Sequence, residues 1–482
     1  MKKNLPFIGR KKQLEAFKDL THKASSSLAV VHGRRRVGKS RLIEEFGKRY
    51  RFLQFAGLPP TTETTAQDQR DKFAKQLADQ TKIPFVKTED WDDLFSFLAR
   101  ETKKGRVVIL FDEISWMGSK DHLFLGKLKD AWDTKFKTNP QLILILCGSV
   151  SSWVEKNILR STGFMGRISL TLFLRELQLF ECNELLDEIG FRGSDRDRFK
   201  ILSITGGIPR YLEEIKPNLT AEMNIQKLCF RSDAILFREF NDIFSDLFSK
   251  RSETYKQIVT SLVAESKSIT EIAEEIKLSL TGYLSECLED LIILGFVRRD
   301  HPWSIKEKKI SRLSHFRLSD NYIRFYLKYI EPNAAQITEN QISLSSVMQG
   351  PNWDSIMGLQ FENLVLMSRE LIWKYLSLSA GEIVNNNPFF QKKTARMKGC
   401  QIDYLIQTRH SALFVCEIKF SKHPIGMNVV EEVKEKIARL SLPRGYSCWP
   451  VLIHVNGVSS EVKKSGFFSQ IIDFSLLLHE ET

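Results

Sequence analysis

Gly33-Arg34-Arg35-Arg36-Val37-Gly38-Lys39-Ser40 concentrates more chemistry than any other stretch of this sequence. It fits the pattern GxxxxGK[ST] without a gap. Glycines at its two ends permit a tight turn whose backbone N–H groups close round phosphate oxygens. A helix opening at Lys39 points its positive end at the same place. Lys39 then neutralises the β and γ phosphates, and Ser40 holds Mg²⁺ through its hydroxyl. Val37 and Arg41 flank those groups, and Arg34, Arg35 and Arg36 either frame the phosphates or face solvent. Further on, Arg106 to Glu113 is an apolar strand ending in two carboxylates. Asp112, fixed at the strand end, is placed to hold Mg²⁺ through water, and Glu113 to polarise an attacking water. Together the two motifs imply binding and hydrolysis of ATP or GTP.

Two further residues belong with that chemistry. Ser149, after the apolar run Leu142–Cys147, reads equally as a polar sensor beside the γ-phosphate or as a turn serine capping the next helix. Arg167 is a candidate arginine finger, acting in its own subunit or in a neighbouring copy; the other reading is a surface arginine before a strand.

A second constellation lies near the end of the sequence. Gln401–Ile406 and Ala412–Lys419 are apolar runs joined through His410-Ser411, the pattern of a hairpin. Asp403 falls on the first strand, and Glu417 and Lys419 share one face of the second by period-two alternation. Two carboxylates and an ammonium on one face suit metal-assisted phosphodiester cleavage: the acids hold Mg²⁺ and the lysine orients the attacking water. The alternative is a Glu417–Lys419 ion pair without catalysis. The basic run from Lys392 to Lys398, through Thr394, Ala395, Arg396 and Met397, favours a phosphate backbone nearby.

The elements that must position these residues alternate strand with helix from 27 to 174. The strands are Leu28–His32, Phe52–Ala56, Val107–Phe111, Leu142–Cys147 and Ile168–Leu172. That alternation predicts an α/β fold with a parallel sheet over 1–174. A helical segment is expected at 175–245, then three helices and a basic, strand-like tail at 246–332, which is a winged-helix pattern. The tail holds Arg298, Arg299, Lys306, Lys308, Lys309, Arg312 and Arg317, whereas the helix Thr281–Leu294 carries Glu286, Glu289 and Asp290. Backbone contact through the tail therefore stands beside a purely domain-docking role. Residues 333–352, rich in Asn, Gln, Ser and Pro, read as a linker, and 353–482 returns to α/β alternation.

The net charge of +12 suits a polyanionic partner, usually nucleic acid, or else is spread over solvated faces; through the basic tail and the last domain the partner expected is DNA rather than RNA. No apolar run approaches the roughly 20 residues that cross a bilayer, so no membrane association is expected. The N-terminal stretch lacks the apolar segment of a secretory signal. Seven cysteines are scattered singly, which points to reduced thiols in the cytoplasm and away from zinc.

FIGRKKQLEAF, VVHGRRRVGKSRLIEEF, ILFDEISWM, LILILCGSVSSWVEKNI and TGGIPRYLEEI resemble, in order and spacing, the prokaryotic archaeal-type ATPase family, related to AAA+ and STAND NTPases. The resemblance implies ATP rather than GTP and brings Phe7, Ile8 and Gly9 near the adenine. It also puts Pro209 beside the nucleotide as part of a lid, and Arg210 as a lid sensor. The Asp403…Glu417-x-Lys419 pattern resembles the PD-(D/E)XK nuclease superfamily, in which Glu362 matches an acidic helix residue of the metal site. The archaeal-type ATPase family often carries such a domain at its carboxyl end, after a winged helix, so the resemblance spans nearly the whole chain. It implies an ATPase whose cycle controls a Mg²⁺-dependent nuclease-like domain. A STAND-like switch that oligomerises on ATP with an inactive nuclease-like domain, and a regulator using only the winged helix, are the alternatives.

Overall fold

Short runs of branched and aromatic residues build the first sheet: β1 (Ser27–His32), β2 (Arg51–Ala56), β3 (Val107–Asp112), β4 (Leu142–Gly148) and β5 (Ile168–Phe173). The computed structural model describes residues 5–149, 151–247, 251–393 and 398–480. Four residues of the basic run, Thr394 to Met397, lie outside the described residues. The chain divides into two units between Glu176 and Leu177.

In the first unit the sheet order is β2-β3-β4-β1-β5, every pair parallel. β1 and β4 are buried at every position, as strands covered by helices on both faces must be. The edge strand β2 instead alternates, with Leu53 and Phe55 inward. Phe55, Phe73, Trp91, Phe95, Phe111 and Phe124 fill the space between sheet and helices. Because the strands are parallel and β4 lies between β1 and β3, the segments after these three strands meet at one sheet edge. Open α/β sheets bind ligands at that carboxyl edge.

The second unit begins with helices, among them Asp195–Thr205 and Pro209–Leu212. Helices Ser252–Ser261, Ile269–Glu275 and Gly282–Ile293 then accompany a small antiparallel sheet of β6 (Lys267–Ser268), β7 (Val297–Asp300) and β8 (His315–Leu318), in the order β6-β8-β7. A mixed sheet follows, with β9 (Ile383–Gln391), β10 (Cys400–Thr408), β11 (Ala412–Phe420), β12 (Ser447–Val455) and β13 (Gln470–Asp473) in the order β13-β12-β11-β10-β9. β9, β10 and β11 pair antiparallel; β11, β12 and β13 pair parallel.

The segment 333–352 differs from a linker. It holds helices Ala334–Thr338 and Leu344–Met348 and buries Ile337, Leu344 and Val347. Three apolar anchors outweigh a polar composition once there is a surface for them to cover. The loop between β7 and β8 is likewise only partly a free wing. Trp303 and Ile305 join the cluster of Phe389, Ile402, Leu405 and Val415. Trp303 Nε1 donates to Gln407 Oε1 at 2.6 Å, and Gln407 Nε2 donates to Ile305 O at 2.8 Å. Lys306, Lys308, Lys309 and Arg312 remain exposed.

Arg317, counted with those cations, points inward. It pairs with buried Asp300 at 3.0 Å and donates to Asn363 Oδ1. Removing it would leave the Asp300 carboxylate buried without its counter-ion. Arg317→Leu should therefore cost about 3–5 kcal/mol, seen as a lower urea midpoint; an unchanged midpoint would remove this pair from the stabilising core.

Candidate functional site

β1 leads into Gly33–Gly38, and the helix Lys39–Gly47 leaves it. Two glycines carry the turn. Gly33 has φ 149°, and a Cβ there would stand 2.3 Å from Leu174 O. Gly38 has φ 90°, a left-handed value that feeds the helix start. Lys39 is buried, and its Nζ donates to Gly33 O and Arg34 O, both at 2.9 Å, so its ammonium is held at the mouth of the loop. Ser40 Oγ donates to Asp112 Oδ2 at 2.7 Å. Hydroxyl and carboxylate thus form a pair of hard oxygen donors, which fits Mg²⁺ completed by phosphate and water oxygens.

Glu113 sits one residue beyond β3 with φ 51° and opens the short helix Ile114–Met117. Its Oε2 accepts from Ser149 Oγ at 2.7 Å and from Ser149 N at 3.2 Å. The intervening strand β4 therefore delivers Ser149 onto Glu113. Arg35 lies 5.5 Å from the Trp116 ring, while Arg34 is buried and meets Glu176 at 3.5 Å. Arg41 donates to Leu5 O and to Pro6 O, tying the backbone just before half-buried Phe7, Ile8 and Gly9 to the loop's own helix.

Arg167 has its guanidinium on Asp133, with contacts of 3.0 Å from Nε and 2.8 Å from Nη2. Lys129 and Lys137 share the same carboxylate. The hydrogen bonds from Arg167 hold Asp133 well below the usual carboxylate range. This network fixes Arg167 against the helix Phe124–Thr134 of its own unit. Pro209 and Arg210 belong to the second unit, where Pro209 opens a helix and Arg210 pairs with Glu214 at 2.8 Å.

Sequence reasoning missed Arg10. It is buried, and its guanidinium donates to Val37 O at 3.2 Å, Arg175 O at 2.6 Å and Glu176 O at 3.3 Å. It straps the phosphate-loop backbone to the end of the first unit. Its position beside Phe7-Ile8-Gly9 was the available signal, but its partners lie far along the chain.

The second constellation assembles on β10 and β11. Tyr404 pairs with Cys416, and Asp403 Oδ2 accepts from Ile418 N at 2.9 Å where the ladder ends. Glu417 is buried. Lys436, on the helix Asn428–Arg439, reaches both acids: its Nζ stands 2.5 Å from Glu417 Oε2 and 3.7 Å from Asp403 Oδ1. Lys419 lies farther from Glu417, at 3.9 Å, and pairs with Glu432 at 2.6 Å. Nothing in the sequence separates Lys436 from the other lysines of its amphipathic helix, so it too was missed. Among the described residues no group of three or more His, Cys, Asp or Glu side chains is poised to hold a metal. The donors present are two hard carboxylates sharing one cation, a chemistry that fits Mg²⁺ in kind.

Burial, and then the charge of Asp403, raises both Glu362 and Glu417 above the usual glutamate range. Burial works against the Lys436 ammonium, but Asp403 and Glu417 push it up to about 12. A carboxyl raised by folding stabilises the protein below its ordinary pKa and loses that contribution as pH climbs through the raised value. Glu362→Gln should therefore gain on wild type, in EDTA, between about pH 5 and about pH 8. The difference in urea midpoint measures it, and no divergence between the two pH values would put Glu362 in a solvated setting.

Residues 7–215 match the model of an ATPase domain predominantly from Archaea. An uncharacterized protein of Methanocaldococcus jannaschii is 24% identical over 360 residues, 74% of this chain and 76% of its own. Among solved structures, a Walker-type ATPase of Pyrococcus abyssi superposes with a TM-score of 0.52 at 15% identity, covering 68% of this chain and 97% of that one, a likeness of fold. No helix among the described residues is long and apolar enough to cross a membrane.

Proposed function

From the archaeal-type P-loop ATPase domain carried by residues 7–215, we propose that this protein hydrolyses ATP and that its nucleotide cycle controls a Mg²⁺-dependent, nuclease-like centre acting on DNA. In the ATPase half, the Gly33–Gly38 backbone and Lys39 bind the phosphates, and Ser40 with Asp112 holds the metal. Glu113 takes a proton from the attacking water, and Ser149 fixes the direction of its carboxylate. Arg10 keeps the loop in register, and Phe7, Ile8 and Gly9 border the adenine. Pro209 and Arg210 serve as lid residues, and Arg167 acts only if it is released from Asp133.

In the carboxyl-terminal half, Asp403 and Glu417 would hold the metal, and Glu362 is the third acid, close enough to feel both of their charges. Bound Mg²⁺ would supply the charge that a phosphodiester needs to accept a nucleophile. Lys419 orients the water, and Lys436 holds Glu417 and Asp403 together. The observation that carries this reading is the single ammonium of Lys436 shared by Asp403 and Glu417. Incubating the full chain with supercoiled plasmid and with oligonucleotides, in Mg²⁺ or Mn²⁺ and with or without ATP, tests it. Nicking or shortening that requires the metal supports it, and intact DNA under every condition defeats it.

The same contact favours a second reading, in which Lys436 neutralises the acids for good and the domain serves an ATP-driven switch without cleavage. Calorimetric titration with Mn²⁺ separates the two: a site lost in Asp403→Asn belongs to the first reading only.

A further inference from the structure

Beside the carboxylate pair lies a cavity of about 460 Å³, inside the roughly 300–1,000 Å³ range of small-ligand sites. Three cations and two rings border it: Lys392, Lys436, Arg439, His315 and Phe390. The rings meet edge to face with centroids 4.3 Å apart. Lys436 is the residue whose Nζ touches Glu417, so one side chain belongs to the cavity wall and to the acidic site. Lys392 is exposed and has no hydrogen-bond or ion-pair partner among the described residues. His315 Nδ1 is buried and lacks a hydrogen-bond partner among the described residues. Burial holds that imidazole below its ordinary value, so it presents a neutral ring. Lys436 is held by Glu417 and Arg439 pairs with Glu435, which leaves Lys392 as the cation without a carboxylate partner among the described residues. Rings beside such cations are what a nucleotide needs: a face for the base and charge for its phosphate.

A second cavity, of about 430 Å³, shares His315 and Lys392 with the first. The small sheet and its loop contribute Arg299 and Arg312 to its lining, and the helices contribute Glu271, Glu274 and Glu289. One phosphate backbone can follow the arginines. A second backbone, as in a duplex, would meet the glutamates and be repelled.

We infer that the cavity at Phe390 and His315 receives one unpaired nucleotide of a single strand, its base against the rings and its phosphate on Lys392 and Arg439, so that the adjoining phosphodiester reaches Asp403 and Glu417. This rests on the nuclease-like reading above for the fate of the strand, but not for its binding. The test is fluorescence anisotropy of the full chain in EDTA with labelled single-stranded DNA, single-stranded RNA and duplex DNA of equal length.

Single strands should bind more tightly than duplex, and the DNA and RNA arms tell which sugar is accepted. Lys392→Glu, at an exposed position, and Phe390→Leu should each weaken single-strand binding by roughly tenfold without altering ATP turnover. Glu417→Gln should leave binding intact. Equal affinity for strand and duplex, or single-strand affinity indifferent to Lys392→Glu, overturns the inference. Cleavage of duplex by a Lys392→Glu variant at the wild-type rate also overturns it while leaving the nuclease reading in place. Sensitive single-strand binding with no cleavage of any substrate sustains the inference and removes the nuclease.

Discussion

Glu113→Gln is expected to slow ATP turnover by about 10²–10⁴-fold, the range lost with a general base, while ATP still binds. Glu113 follows a strand whose first five residues are fully buried, so its backbone position does not depend on its side-chain charge. The amide oxygen of glutamine can still accept from Ser149 Oγ, which now bonds Glu113 at 2.7 Å, so the local fold persists. What disappears is the basicity proposed to take the water's proton. Lys39, Ser40 and Asp112 are untouched, and the affinity for triphosphate stays with them. Single-turnover hydrolysis measures the loss, and equilibrium binding of a fluorescent ATP analogue measures what is kept. Turnover at the wild-type rate would mean that another group activates the water. Binding lost together with turnover would mean that the exchange disturbed the site instead.

The other large effect is expected at Glu417. If the proposed nuclease-like centre cuts DNA, Glu417→Gln should reduce that metal-dependent cleavage by more than about a hundredfold, the upper end for losing a group that merely supports a ligand. ATP hydrolysis should be unchanged. Glutamine fills the same buried volume, so the β10–β11 pairing survives. Lys436 then keeps only Asp403, 3.7 Å away, as an anionic neighbour in the pair. Comparing plasmid nicking and ATPase rates in one preparation checks both halves. Equal nicking by variant and wild type would assign the cleavage to other residues or to a contaminant. A parallel fall in ATPase activity would instead point to a folding defect.

The phosphate loop and its acidic partner were legible because their chemistry is local. A left-handed turn needs Gly38, a buried parallel strand needs a run such as Val107-Val108-Ile109-Leu110-Phe111, and the acids follow that strand directly. Hairpin alternation likewise brought Asp403 toward Glu417, because neighbouring antiparallel strands read each other's register. Polar composition misread 333–352, since three apolar side chains suffice to anchor two short helices. It misread Arg317 too, whose charge is answered by Asp300 across the small sheet.

The strand runs, the glycine turn and the positions of the acids were set by the residues themselves, through backbone sterics and the alternation of apolar side chains. Tertiary structure alone decided which distant groups complete each site. Arg10 reaches Arg175 O and Glu176 O, Ser149 reaches Glu113, and Lys436 reaches Glu417 only after the sheets have ordered their strands. An arginine, a serine or a lysine looks alike at any exposed or helical position of a sequence. Its electrostatic partner is chosen by packing, and that choice is a property of the folded chain.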